Sequence, residues 1–144
     1  MSSKLRTASW VVLVIVGSLT LLVSVISSYL AYRGDYPIGG MPVAEVAASR
    51  PGIQDALRGI RGTSAAYGAG FAVLFLATVL GPYRRGDTGA WWALLLATIA
   101  IMVVAVARVP LLGIPFGPGV GPALTQGAII LLGLLLDVGR LRSR

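Results

Sequence analysis

The sequence predicts an all-α integral membrane protein, a four-transmembrane-helix up-down bundle, and three observations carry that prediction. First, four apolar stretches lie at about 10–31, 62–80, 90–107 and 122–136. A helix needs roughly 20 mostly apolar residues to cross about 30 Å of hydrocarbon. The first stretch meets that length, and the other three approach it. Second, only 12% of the 144 residues are charged, about half of the ~25% usual in soluble domains. Third, those charges sit between the stretches and not within them. The spans and their connections account for 1–144 as a single membrane domain. Mean hydropathy is +0.86, which makes the bilayer the solvent against which every later reading is set.

Span one, 10–31, is longer than the roughly 7–15 residues of a signal-peptide apolar region, and no Ala-x-Ala pattern closes it, so it reads as a retained span. Gly17, Thr20, Ser24, Ser27 and Ser28 fall three or four residues apart and form one polar, small-residue stripe along it. Trp10 opens the span, and Tyr29, Tyr32 and Tyr36 cluster near its far end, as aromatic side chains do at headgroup level.

A long connection follows, from Arg33 to about Gly59, and it is expected to be partly helical. Gly34, Pro37, Gly39 and Gly40 signal turns. The run Met41 to Ala48 suggests a short helix opened by Pro42. Ile53, Leu57 and Ile60 repeat at helical spacing, so helix is expected from about Pro51 into span two. Span two carries Gly62, Ala66 and Gly70 at intervals of four, a small-residue ridge for helix packing or for a homodimer seam. Pro82 helps to end it. The connection 84–89 is a tight turn, and Trp91 and Trp92 open span three at interface depth. The next connection, 109–119, holds three prolines and three glycines, which argue against regular helix.

Net charge is +7. The basic residues flank apolar segments, so lipid phosphate and topology explain them, and nucleic acid is not an expected partner. Lys4, Arg6, Arg84, Arg85, Arg140, Arg142 and Arg144 fall on one side of a four-span chain. Arg33, Arg50, Arg58, Arg61 and Arg108 fall on the other, diluted by Asp35, Glu45 and Asp55. Basic residues mark the cytoplasmic side. Both termini are therefore placed in the cytoplasm of a multi-pass protein of the cell (inner) membrane. The preponderance of Arg over Lys, with abundant Ala, Gly and Val, suggests a GC-rich bacterial genome.

The chain has no cysteine and no histidine. It offers no disulfide, thiolate nucleophile, bis-His haem or imidazole base, and no metal or cofactor is expected. In an up-down bundle one set of span ends shares the outer leaflet. Ser28 and Tyr32 close span one, Arg61, Ser64 and Tyr67 open span two, Arg108 closes span three and Gln126 opens span four. Polar groups at membrane depth pair or face a cavity, so these seven form the expected ligand-binding set. Asp137, near the inner end of span four, is spaced for a helical ion pair with Arg140.

The run from Leu57 to Gly70, LRGIRGTSAAYGAG, resembles the second-span opening of small bacterial four-span membrane proteins of the DoxX-like group. The resemblance extends to length and to the long first outer loop. It implies a four-helix membrane bundle and no general activity, although some members of that group are accessory subunits of membrane redox enzymes.

Three functions remain open at this point. The first is a non-catalytic membrane protein that binds a lipid-like ligand, apolar or anionic, or a membrane partner, through an outer-leaflet polar cavity. The second is an integral membrane isomerase or cyclase acting on an apolar lipid or isoprenoid. There Asp35, Glu45 or Asp55 would work with Tyr67 in acid–base chemistry. The third is a small oligomeric transporter, which a central acid or a broken helix within a span would support.

Overall fold

The computed structural model describes residues 3–33, 37–38, 41–48, 50, 52–112 and 120–142. Helix α1 covers Ser3–Arg33. A two-stranded ladder of β1 (Pro37–Ile38) and β2 (Met41–Pro42) follows, then α2 (Val43–Ala47), α3 (Ile53–Thr78), α4 (Thr88–Leu112) and α5 (Val120–Leu135). A π-helical turn, Val79–Tyr83, extends α3, and a 3-10 turn, Val138–Arg142, follows α5. The chain is thus all-α apart from the two-residue strands.

Three helical segments are long and apolar enough to cross a membrane: Lys4–Arg33, Ile53–Tyr83 and Thr88–Leu111. The fourth, Val120–Leu135, has 16 residues, or about 24 Å at 1.5 Å per residue. Within the most apolar windows of the three long segments only 17%, 22% and 12% of residues are buried. Leu19, Val23, Leu74, Leu96 and Val104 all point outward. In water so large an apolar surface would drive association. In hydrocarbon it costs nothing.

The chain forms two compact units, residues 1–17 with 75–144, and residues 18–74. In the first unit α1 runs antiparallel to the end of α3. Gly17 packs against Leu76 and Phe75, and Ser9 meets Tyr83. A β-carbon at Gly17 would come within 2.7 Å of Leu76 Cδ2, so only glycine allows that approach. Pro82 falls inside the π-helical turn, and the helix continues through it to Tyr83. A proline has no N–H to donate, and the wider turn accommodates its ring. The chain then reverses through Gly86, whose φ of +96° favours glycine, with the Asp87 N–H donating to the Pro82 carbonyl at 3.1 Å. Asp87 caps α4 by accepting the Gly89 N–H at 2.7 Å.

Helices α4 and α5 pack antiparallel. The Trp91 indole N–H donates to the Leu134 carbonyl at 3.1 Å, and Gly127 lies beneath Met102. Gly133 sits against Leu13 and Val12 of α1. The core comprises Leu13, Phe75, Val79, Tyr83, Trp91, Leu94, Ile130 and Leu134. Helix α4 runs on through Pro110 to Leu112, further into the proline-rich connection than its composition suggests. Pro110 has no N–H for the Val106 carbonyl, and this single lost bond falls in the last turn of the helix. Residues 113–119 of that connection lie outside the described residues.

In the second unit β1 and β2 pair antiparallel, Pro37 opposite Pro42 and Ile38 opposite Met41. Pro42 stands just ahead of α2 and not in its first turn. Val43 and Ala47 are buried. Gly52, at φ +86°, turns the chain into α3. Here α1 and α3 meet through small residues. Ser24 abuts Gly68, and the Tyr32 phenol lies over Gly62.

Candidate functional site

The expected ligand-binding residues divide between the units. In the second unit the half-buried Arg61 donates from Nε to Ser27 Oγ at 3.3 Å, linking α3 to α1. Ser28 donates to the Ser24 carbonyl at 3.0 Å, and Ser64 to the Ile60 carbonyl at 2.9 Å. Both hydroxyls thereby satisfy themselves within their own helices. Tyr32 is largely exposed, and Tyr67 is 76% exposed. The structure therefore joins Arg61 to Ser27 and leaves Ser64 and Tyr67 on the outer surface of α3.

In the first unit Gln126 lines a cavity of about 10 Å³ with Thr98, Ile101, Ala123, Gly127 and Ile130. That is space for about one water. Thr98 donates to the Leu94 carbonyl at 2.7 Å. Arg108 lies on α4, and its side chain is outside the described part of the molecule, as is all of Asp35. Glu45 and Asp55 are exposed in the first turns of α2 and α3, where a carboxylate complements the positive end of the helix dipole.

A larger cleft appears elsewhere in the first unit. Arg6, Thr7, Trp10, Tyr83 and Arg84 line a cavity of about 210 Å³. The first turns of α1 provide three of these residues, and the turn after α3 provides two. The Arg84 guanidinium carbon sits 4.9 Å from the centre of the Trp10 ring, a cation–π contact of about 0.5–1 kcal/mol at an exposed site. Gly86 leaves room for the Arg6 guanidinium, which a β-carbon there would meet at 2.9 Å. The Trp10 indole N–H is buried and has no acceptor among the described residues, a cost of roughly 1–3 kcal/mol unless a ligand or water accepts it.

Three polar residues of this unit are fully buried. Ser9, Tyr83 and Asp137 have no exposed surface. The Ser9 and Tyr83 hydroxyls share a hydrogen bond of 2.7 Å. Because Gly133 packs on Leu13, Asp137, one turn beyond Gly133, comes near the level of Ser9, one turn before Leu13. By sequence alone Arg6 and Arg84 read as topology charges and Trp10 as a belt residue. One signal pointed to more: Arg6 and Trp10 are four residues apart, on one face of α1.

These features define an all-α chain with several helices able to cross a membrane and a basic cleft at one end of its larger unit. No family model, curated protein or solved structure matches the chain, so the functional reading rests on its own residues.

Proposed function

We propose that this is a non-catalytic four-span protein of the inner membrane, with both termini cytoplasmic, that binds a lipid-like ligand or a membrane partner at its outer-leaflet side. The observation that carries the binding reading is Arg61, half-buried and hydrogen-bonded to Ser27 across the α1–α3 seam. A guanidinium at membrane depth calls for a counter-charge or a polar cavity. A planar guanidinium in that position is suited to an anionic or carbonyl-bearing headgroup. The apolar exteriors of the long helices support membrane insertion, and the distribution of Lys and Arg supports the orientation. The DoxX-like resemblance of residues 57–70 agrees with the four-span plan.

No observation favours acid–base chemistry in particular. Glu45, Asp55 and Tyr67 are exposed, whereas a catalytic carboxylate acting on an apolar substrate needs a closed, desolvated site.

Two experiments test the proposal. Native mass spectrometry of the gently extracted protein, with analysis of co-purifying lipids, should find a stoichiometric apolar or anionic molecule. That molecule should disappear from the Arg61→Ala/Arg108→Ala double variant. A clean apo mass, or bulk phospholipid alone, would sink the retained-ligand reading. For orientation, the absence of native cysteine allows single Ser3→Cys, Asp55→Cys and Asp87→Cys variants. An impermeant maleimide should label Asp55→Cys in intact cells, and the other two only after permeabilisation. The opposite pattern would invert the topology.

A further inference from the structure

We propose that the cleft between the start of α1 and the turn after α3 is a second binding site, which takes the phosphate of an anionic lipid headgroup on the cytoplasmic side. This rests on the membrane-spanning reading above and not on the outer-face ligand.

Two cations from separate parts of the chain face one cavity of about 210 Å³. Arg84 stacks on the Trp10 ring and the Arg6 guanidinium lies close to the Gly86 backbone, both side chains remaining exposed. Arginines positioned in this way have less side-chain freedom to lose on binding, and the planar guanidinium fork matches the oxygens of a phosphate. The nearest acid in sequence, Asp87, is committed to the α4 cap through the Gly89 N–H. The Trp10 ring lines the cleft, and its N–H, buried and without an acceptor among the described residues, would be a neutral donor to a ligand that reaches it.

By the measure that gives the Gln126 cavity about 10 Å³, this one has about 210 Å³, room for a phosphate and its ester. Its floor is the fully buried Tyr83, pinned by the hydrogen bond to Ser9. Tyr83 gives the site one fixed wall, against which two exposed arginines from separate parts of the chain are set. A free phosphate ester shares the same chemistry. The lipid is favoured because the cleft opens at the end of a span, beside Lys4 and Arg85, where anionic lipid accumulates at the cytoplasmic leaflet.

The test uses the full chain in nanodiscs of phosphatidylcholine, with and without phosphatidylglycerol, read by native mass spectrometry after transfer to detergent. One phosphatidylglycerol should be retained per chain. Arg6→Gln/Arg84→Gln should weaken retention at least tenfold. Trp10→Phe, which keeps an aromatic ring and removes the N–H, should weaken it a few-fold. Arg33→Gln/Arg50→Gln removes the same charge from the opposite connections and should leave retention unchanged. Thermal stability of each variant in the same detergent separates lost binding from lost fold.

Equal loss in the Arg33/Arg50 control, or undiminished retention in Arg6→Gln/Arg84→Gln, overturns the site. If inorganic phosphate saturates the wild type through Arg6 and Arg84 while phosphatidylglycerol is not retained, the anion site stands and its ligand is soluble. A chain that purifies without detergent overturns the membrane reading itself. One that needs detergent but binds neither probe overturns this site alone.

Discussion

The two units differ in what fills the seams between their helices. In the unit of residues 1–17 and 75–144, side chains reach across between helices. Ser9 bonds Tyr83, the Trp91 indole bonds the Leu134 carbonyl, and Ser9, Tyr83 and Asp137 have no exposed surface. Large residues fill the space between, and Trp91 and Trp92 meet edge-on with centroids 5.0 Å apart. In the unit of residues 18–74, Ser28 and Ser64 bond back to their own helices, and Arg61 bridges to Ser27. The helices there touch through Ser24, Gly62, Ala65, Gly68 and Ala72. Lipid tails are as apolar as leucine, so helices in a bilayer gain adhesion from close packing and from polar bridges. Both units use bridges and close approach at glycine, and bulky buried aromatics distinguish the first.

That contrast can be broken at its strongest point first. Tyr83→Ala should cost about 3–5 kcal/mol, because it empties a fully buried position under both α1 and α4. Chemical or thermal denaturation in detergent reads this, and a cost under about 1 kcal/mol would mean that the bulky core is not what holds this unit. Gly17→Ala comes next. Its β-carbon would press on Leu76 and Phe75 together, so about 1–3 kcal/mol is expected from overpacking. Tyr83→Phe should cost about 1 kcal/mol by removing the hydroxyl from Ser9. A neutral result there would show that the bridge contributes little beyond the ring.

The smallest effect belongs to the other unit. Gly70 faces open space, and a β-carbon added there would meet nothing within 4 Å. Gly70→Ala should therefore be neutral or stabilise by up to about 1 kcal/mol through helix propensity. If that variant instead shifts the oligomeric state in size-exclusion with light scattering, the exposed face of α3 is a seam between copies.

Much of the secondary structure was legible in the residues alone, because hydropathy is a local property accumulated along the chain. The apolar stretches mark α1, α3, α4 and α5, although every helix except α5 extends past its stretch at both ends, α3 by way of its π-helical turn. Polar first turns, such as that of α3 with Gln54 and Asp55, are helical without being apolar. The rotation of each helix about its axis was less legible. Gly62, Ala66 and Gly70 share a sequence spacing, yet Gly62 is buried while Ala66 and Gly70 face outward. The buried row runs through Gly62, Ala65 and Ala72, because a residue's neighbour across a seam depends on the partner helix as well as on its own spacing.

The candidate sites divide along the same line. Arg61 was legible as a polar residue near a span end, and its bond to Ser27, 34 positions away, was not. The residue types that this protein has for chemistry, arginines and aromatics without cysteine or histidine, were determined by the sequence. The basic cleft was decided by tertiary structure. Arg6 and Trp10 meet Tyr83 and Arg84 only after α1 has packed along the end of α3 and the π-helical turn at Pro82 has set where those two side chains emerge. Composition and hydropathy act through neighbours in the chain, whereas a binding site is made of neighbours in space.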